Sequence, residues 1–154
     1  MTRIGINGFG RMGRLALRAG WGSEDIEFTH INELHGDAEV AAHLLEFDSV
    51  HGRWSHDISA KEDALSVDDR RVSFGSAAEP GDVPWDDFGI EVVIESSGKF
   101  RTMESLGPYF ESGVRKVVVA APVKDERALN VVVGINDHLY DAARFDVVTA
   151  ASCT

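Results

Sequence analysis

The chain has 154 residues, of which 44% are apolar and 27% charged, enough sequence for one globular domain with a real core and not the composition of a disordered segment. Fifteen basic residues against 26 acidic ones give a net charge of −11 and an isoelectric point near 4.8, a balance that disfavours nucleic acid and anionic membrane as partners. The single cysteine excludes an internal disulfide, and His30, His35, His43, His51, His56 and His138 fall in no ligand spacing, so no metal is expected. The sequence shows no leader-like start and no apolar run near the roughly 18 residues of a membrane span, and a cytoplasmic location is expected.

The stretch Arg3–Gly13 reads R-I-G-I-N-G-F-G-R-M-G. Ile4–Ile6 is a short apolar strand, Asn7 follows, and Gly8, Gly10 and Gly13 stand in G-x-G-x-x-G spacing before a run of helix formers, Arg14–Ala19. Strand, glycine turn and helix in that order form a dinucleotide-binding unit. Gly8 permits the tight turn, Gly10 lets backbone approach a pyrophosphate, and Gly13 lets helix and strand pack closely. The free amides of Arg11 and Met12 at the helix start attract an anion. Downstream, Phe28–Glu33 is a second strand ending in an acid 20 residues after Gly13, where a carboxylate can accept from ribose hydroxyls. An acidic protein must hold an anionic cofactor by such local amides and not by its overall field.

Gly20–Ser23 stops the first helix, and Asp37 is placed to cap a second one running to Phe47, with Val40, Ala41, Leu44, Leu45 and Phe47 at helical spacing. His43 within it is a surface or core residue, and Asp48–Trp54 reads as a polar loop. Between Ile58 and Phe74 short alternating runs predict antiparallel strands, inserted into the main sheet's connectivity. Glu79–Asp82 is a turn, and Ile90–Ile94 is a continuous apolar run, the pattern of a strand buried on both faces. It ends in the small polar stretch Glu95–Gly98, at the carboxyl edge where open α/β sheets bind ligands. Thr102 caps a helix to Ser112 with Gly113 as its stop, and further strands are expected at Lys116–Ala121, Val131–Val133 and Asp146–Thr149. Trp21, Trp54 and Trp85 are packing residues. The whole predicts an α/β fold, a doubly wound, mainly parallel Rossmann-type sheet with a small antiparallel insertion, over residues 1–154 as one domain.

Four stretches occur in order along the chain: G-I-N-G-F-G-R-M-G-R at the start, F-D-S-V-H-G-R-W, E-S-S-G-K-F at Glu95–Phe100, and A-S-C-T at Ala151–Thr154. Together they resemble the amino-terminal, NAD-binding half of glyceraldehyde-3-phosphate dehydrogenase, and erythrose-4-phosphate dehydrogenase shares that architecture. The run from Ile31 to Trp54 is also similar to a dehydrogenase branch associated with arsenic resistance. The resemblance implies NAD as cofactor, with Gly8, Gly10, Arg11, Met12 and Gly13 as the pyrophosphate site and Asn32 and Glu33 as the adenosine ribose site. Ser96, Ser97, Gly98 and Phe100 would line the adenine and ribose side of the cleft. Cys153 aligns with the family's catalytic nucleophile, which attacks an aldehyde to give a thiohemiacetal; hydride transfer to nicotinamide then leaves a thioester that phosphate cleaves. Ser152 and Thr154 flank it where the family binds a small phosphorylated aldehyde.

The departures from the family pattern are local. Ala120 stands where the family carries a hydroxyl, Ala78 where an Arg or Lys is common, and Glu33 where Asp is common. The family's catalytic domain, with its histidine base and phosphate-binding residues, is absent from this sequence. The expectation is therefore the cofactor half of a phosphorylating aldehyde dehydrogenase of glycolysis, not turning over substrate by itself. Homo-oligomers of the family type are expected only with the second domain. The alternative is a free-standing NAD-binding module, or a half-enzyme completed by a partner chain.

Overall fold

The structure, a computed structural model, describes residues 1–150. It opens with β1 (Thr2–Asn7), whose Ile4 and Ile6 are buried on one face. Helix α1 (Arg11–Gly20) buries Gly13 and Leu17, four residues apart on one stripe, and leads to β2 (Ile26–Asn32), parallel to β1. Helix α2 (Ala38–Glu46) starts where expected, the Asp37 carboxylate accepting from the Val40 amide at 2.9 Å. Its buried stripe is Ala38, Ala41, Ala42 and Leu45, whereas Val40, Leu44 and Phe47 are 50%, 40% and 46% exposed. Both sets have helical spacing. Small residues face the sheet because they let the helix approach it closely, and that choice is invisible to periodicity alone.

The expected loop after α2 is instead a small hairpin, β3 (Phe47–Asp48) pairing antiparallel with β4 (Gly52–Arg53). The Asp48 side chain closes it, accepting from the amides of Val50 at 2.9 Å and His51 at 2.7 Å. β5 (Ile58–Lys61), β6 (Ala64–Val67) and β7 (Arg70–Gly75) are antiparallel as expected, and β7 joins β2 in parallel, so they extend the main sheet. β8 (Val92–Glu95) follows, then α3 (Met103–Glu111), opened by a reciprocal cap between Thr102 and Ser105, and β9 (Lys116–Val119). β10 is Ala128–Asn130, three residues before the expected Val131–Val133. The strand ends early because Asn136 accepts from the Val132 amide and donates to the Asn130 carbonyl, closing a turn there. β11 (Val147–Thr149) completes the set.

The strand order is β10-β11-β9-β8-β1-β2-β7-β6-β5, parallel from β10 through β7. The chain builds outward from β1 to one side, then returns to β8 and builds to the other. That reversal opens a crevice at the carboxyl ends of β1 and β8, which positions the site. On one sheet face α1 and α2 cover Ile4, Ile6, Phe28, Ile31, Leu65, Val67 and Val72. On the other, α3 and the segment around Trp85 cover Val93, Val117, Val119 and Val147. The expectation that β8 is buried on both faces holds for one face only, and β9 shows the same alternation. Val92, Ile94, Val118 and Val148, on the α1 side, are half-buried around a concavity of about 340 Å³ that includes Val92, Val118 and Val148. No helix among the described residues is long and apolar enough to cross a membrane.

His30 lies in this core, 4% exposed, stacked on Phe88 at 4.3 Å with its Nδ1 2.8 Å from the Ser73 hydroxyl. Burial lowers its pKa to about 4. The unfolded chain therefore binds the extra proton first, and the stability held above pH 6.5 is lost as pH falls toward 4. Urea denaturation of wild type against His30→Phe should show this histidine contributing on the order of 2 kcal/mol of acid-side loss between pH 7 and 4.5. A slope left unchanged by the substitution would refute the assignment; Ser73 keeps its bond to the Thr29 carbonyl in either case.

Candidate functional site

The carboxyl ends of β1, β2 and β8 meet at the crevice, and the glycine turn sits over it. Gly8 has φ +89°, and a Cβ there would lie 2.4 Å from the Ser97 nitrogen, so the turn rests directly on the β8 loop. Ser96 fastens the two, its hydroxyl donating to the Gly8 carbonyl at 2.6 Å and its amide to the Asn7 carbonyl at 2.8 Å. A Cβ on Gly13 would come 2.3 Å from the Gly8 oxygen, which brings α1 hard against the turn. Gly10 is different. It is the N-cap of α1 in extended conformation, and a Cβ there would meet nothing within 4 Å. No side chain caps α1 and its first turn has no acid, so its leading amides have no side-chain acceptor and can attract an anion.

Glu33 follows β2 and turns toward the glycine turn. Its Oε2 accepts from the Phe9 amide at 2.6 Å and its Oε1 from the His35 amide at 2.9 Å. Each oxygen keeps lone-pair capacity for a further donor such as a ribose hydroxyl. Asn7, Gly8, Gly10, Asn32, Glu33, Ser96, Ser97 and Phe100 line one groove of about 230 Å³. A second hollow of about 180 Å³ shares Gly10, Glu33 and His35 with it and extends along Arg14 and Leu44. These groove residues, all but Asn7 picked out as site residues by the sequence, are thus brought together. Arg11, Met12, Gly13 and Gly98 do not line the groove. The Arg11 guanidinium is bidentate to Asp48, at 3.0 and 3.4 Å, and Met12 is 55% exposed, so only their amides remain candidates for an anion. Asp48 is held at a pKa of about 2, first by the amides of His51 and Val50 and then by Arg11. Gly98 adopts φ +75° beyond the groove lining, and Ser152, Cys153 and Thr154 lie outside the described residues.

The groove also contains residues that the sequence did not assign to the site: Leu34, His35, Ala77, Ala78 and Lys99. At its rim Lys99 Nζ meets Glu79 at 2.6 Å, so a cation stands across from Ala78, near the place where the family's Arg or Lys is missing. Underneath, Tyr109 of α3 reaches the strand ends and bonds Asn7 and Glu95. The sequence holds no signal for this role beyond the helical spacing of Tyr109 from Leu106, which marks packing. A larger concavity of about 450 Å³ lies on the antiparallel extension, between Ser59, Lys61, Asp63, Ser66 and Arg71. It has no strand carboxyl ends and no glycine turn, and its Arg71–Asp63 pair is solvated, so size does not mark the site here.

A doubly wound sheet with a glycine turn, an open helix start and an acid after the second strand defines a dinucleotide-binding domain of the Rossmann type. The family model for the glyceraldehyde 3-phosphate dehydrogenase NAD binding domain matches residues 2–103, and the chain belongs to that family. It is 58% identical over 153 residues to glyceraldehyde-3-phosphate dehydrogenase 3 of Nostoc sp., covering 99% of this chain and 45% of that protein. It is 42% identical over 154 residues to glyceraldehyde-3-phosphate dehydrogenase 1 of Bacillus cereus, covering 100% of this chain and 46% of the relative. The Geobacillus stearothermophilus glyceraldehyde-3-phosphate dehydrogenase is 38% identical, again over 99% of this chain and 45% of the relative. The chain spans under half the length of these relatives. It is an NAD-binding domain, and the open space at Gly10 with the uncapped amides beside it fits the cofactor's pyrophosphate.

The glycines of the turn should separate in a stability measurement. Gly13→Ala should cost about 1–3 kcal/mol, because its Cβ meets a backbone oxygen that cannot move away. Gly10→Val should cost less than about 1 kcal/mol, its side chain pointing into open space. Equal losses from the two, read by thermal unfolding, would contradict the division.

Proposed function

We propose that this chain is the cofactor half of a phosphorylating aldehyde dehydrogenase that oxidises a small phosphorylated aldehyde with NAD, in cytoplasmic glycolysis. The observation that carries the reading is the groove between the Gly8–Gly10 turn and Glu33, with Gly10 open to an incoming group. The leading amides of α1, Arg11 and Met12 among them, would hold the pyrophosphate, and Glu33 and Asn32 the adenosine side. Ser96, Ser97, Gly98 and Phe100 would form the opposite wall. Bound there, NAD supplies a hydride acceptor. Cys153 is the proposed nucleophile and Ser152 and Thr154 its substrate-binding neighbours, an assignment that rests on the A-S-C-T stretch in sequence. Family-type assembly into homo-oligomers belongs to the same proposal. The names of the relatives support the chemistry, each being a glyceraldehyde-3-phosphate dehydrogenase.

Two experiments test it. In titration calorimetry Gly10→Val should lose NADH binding while unfolding near the wild-type temperature; retained affinity would remove the pyrophosphate assignment. Fused to the carboxyl-terminal half of the Nostoc relative, the chain should reduce NAD with glyceraldehyde 3-phosphate and inorganic phosphate, and Cys153→Ser should abolish this. A fusion that binds NADH but stays inactive would reject the dehydrogenase reading.

Glu33 further sets the choice of cofactor. Its carboxylate can accept from a ribose 2′-hydroxyl but repels a 2′-phosphate. NADPH should therefore bind at least about tenfold more weakly than NADH at low salt, where the repulsion is least screened. Matching dissociation constants would overturn this.

A further inference from the structure

Beneath the groove runs a chain of buried side-chain amides that begins at one carboxylate. Glu95 is 1% exposed, Asn7 4%, Asn32 3% and Tyr109 0%. Glu95 Oε1 accepts from the Ser97 amide at 2.8 Å and from the Ser97 hydroxyl. Its Oε2 accepts from Asn7 Nδ2 at 2.8 Å and from the Tyr109 hydroxyl. The second hydrogen of Asn7 Nδ2 goes to Tyr109 Oη at 2.6 Å. Asn7 Oδ1 accepts from Asn32 Nδ2 at 2.7 Å; Asn32 Nδ2 also donates to the Ala77 carbonyl at 2.9 Å, and Asn32 Oδ1 accepts from the Ala77 amide at 2.8 Å.

The direction of each bond follows from its neighbour. A carboxylate only accepts, so Asn7 must present its NH₂ to Glu95 and its oxygen to Asn32. Asn32 is fixed from the other end, its NH₂ donating to the Ala77 carbonyl and its oxygen accepting from the Ala77 amide, so it too presents its NH₂ to Asn7. Reversing Asn7 would set its oxygen against the Glu95 carboxylate and its NH₂ against the NH₂ of Asn32, a mismatch at both ends. The Tyr109 phenol stays protonated, burial first and the Glu95 charge second driving its pKa well up, so it remains a donor to Glu95.

We propose that Glu95 is a positioning residue for the nucleotide site: it fixes the amide orientation of Asn7 against an Asn32 that the Ala77 main chain already holds, and so keeps the Ala77 wall of the groove in register with the Ser97 wall. This rests on the NAD reading of the groove. Glu95 touches no ligand; it acts through Ser97 on one wall and through two asparagines on the other. Glu95→Gln replaces one acceptor oxygen by a donor. The Ser97 amide, a donor only, claims the remaining oxygen, so the new NH₂ faces the NH₂ of Asn7, and Asn7 cannot turn over to relieve this because its oxygen faces the NH₂ of an Asn32 fixed by Ala77.

The test exploits the polarity of the chain. In the double variant N7D/E95Q the roles are exchanged. The introduced glutamine donates to the introduced aspartate, and Tyr109 accepts from the glutamine while donating to the aspartate. That aspartate still accepts from Asn32. The number of buried charges is unchanged. NADH and ADP-ribose are titrated into wild type, E95Q and N7D/E95Q at a temperature where circular dichroism shows each folded. E95Q should weaken both ligands by at least about tenfold, the cost of an unmatched buried donor, and N7D/E95Q, whose aspartate stands in the groove lining and disfavours an anion there, should recover part of that loss. Wild-type affinity in folded E95Q overturns the inference, as does a double variant that binds no better than E95Q. If E95Q does not fold, the exchange decides: a folded, NADH-binding double variant supports the inference, and an unfolded one overturns it. Absence of NADH binding by wild type would reject the nucleotide reading and this inference with it, whereas wild-type binding with an unaffected E95Q rejects the inference alone.

Discussion

A carboxylate taken almost entirely out of water must find donors for both oxygens or it cannot remain inside a fold. Glu95 finds them in three different elements: Asn7 at the end of β1, Ser97 in the loop after β8, and Tyr109 on α3. The requirement draws those elements together at the point where the sheet reverses its direction of growth. The groove is built on that junction. Ser97 is held by Glu95 from below and supports the Gly8 turn from the side, so the same residue joins the buried network to the surface that faces the nucleotide. Hydrogen bonds of this kind contribute modestly when made and cost heavily when one partner is lost, which is why the network constrains geometry more than it adds stability.

The second constraint is electrostatic. A protein of net charge −11 has no general attraction for a dinucleotide, and the structure answers locally. Helix α1 begins without a side-chain cap and without an acid in its first turn, so the positive end of its dipole is not offset there. Both basic side chains near that end already have partners, Arg11 in Asp48 and Arg14 in the Phe9 carbonyl of the turn itself. What remains to meet an anion is backbone. Backbone amides are fixed by the fold and lose little entropy on binding, and they need only that the residue at the turn carry no side chain.

The two halves of the sheet are finished differently. On the β2, β7 and β6 side α1 and α2 give a closed layer with fully buried Ile31, Leu65 and Val72. On the β8, β9 and β11 side the α1 face is half-buried, with Val92, Ile94, Val118 and Val148 around or beside an apolar hollow. Parallel sheets ordinarily carry helices over both faces, because their strands are apolar on both. The apolar runs were read correctly as strands; their neighbours, not their composition, decide how much of each face is covered.

The sequence alone determined the features that depend on local chain chemistry. Gly8 and Gly13 could be read because a turn and a close approach each demand a missing side chain, and Asp37 and Thr102 because a helix start needs an acceptor at one fixed position. Glu33 was legible from its distance along a strand-helix-strand unit of standard length. Tertiary structure decided the rest. Val40, Leu44 and Phe47 make as good a helical stripe as Ala38, Ala41, Ala42 and Leu45, and only the closeness of the sheet chose between them. β10 ended before Val131 because Asn136, six residues further on than Asn130, closed a turn onto it. Glu95 and Tyr109 stand 88 and 102 residues from Asn7, so no window of sequence contains their contact. Periodicity and spacing act within one element, whereas a buried charge is satisfied by whichever elements the fold delivers to it.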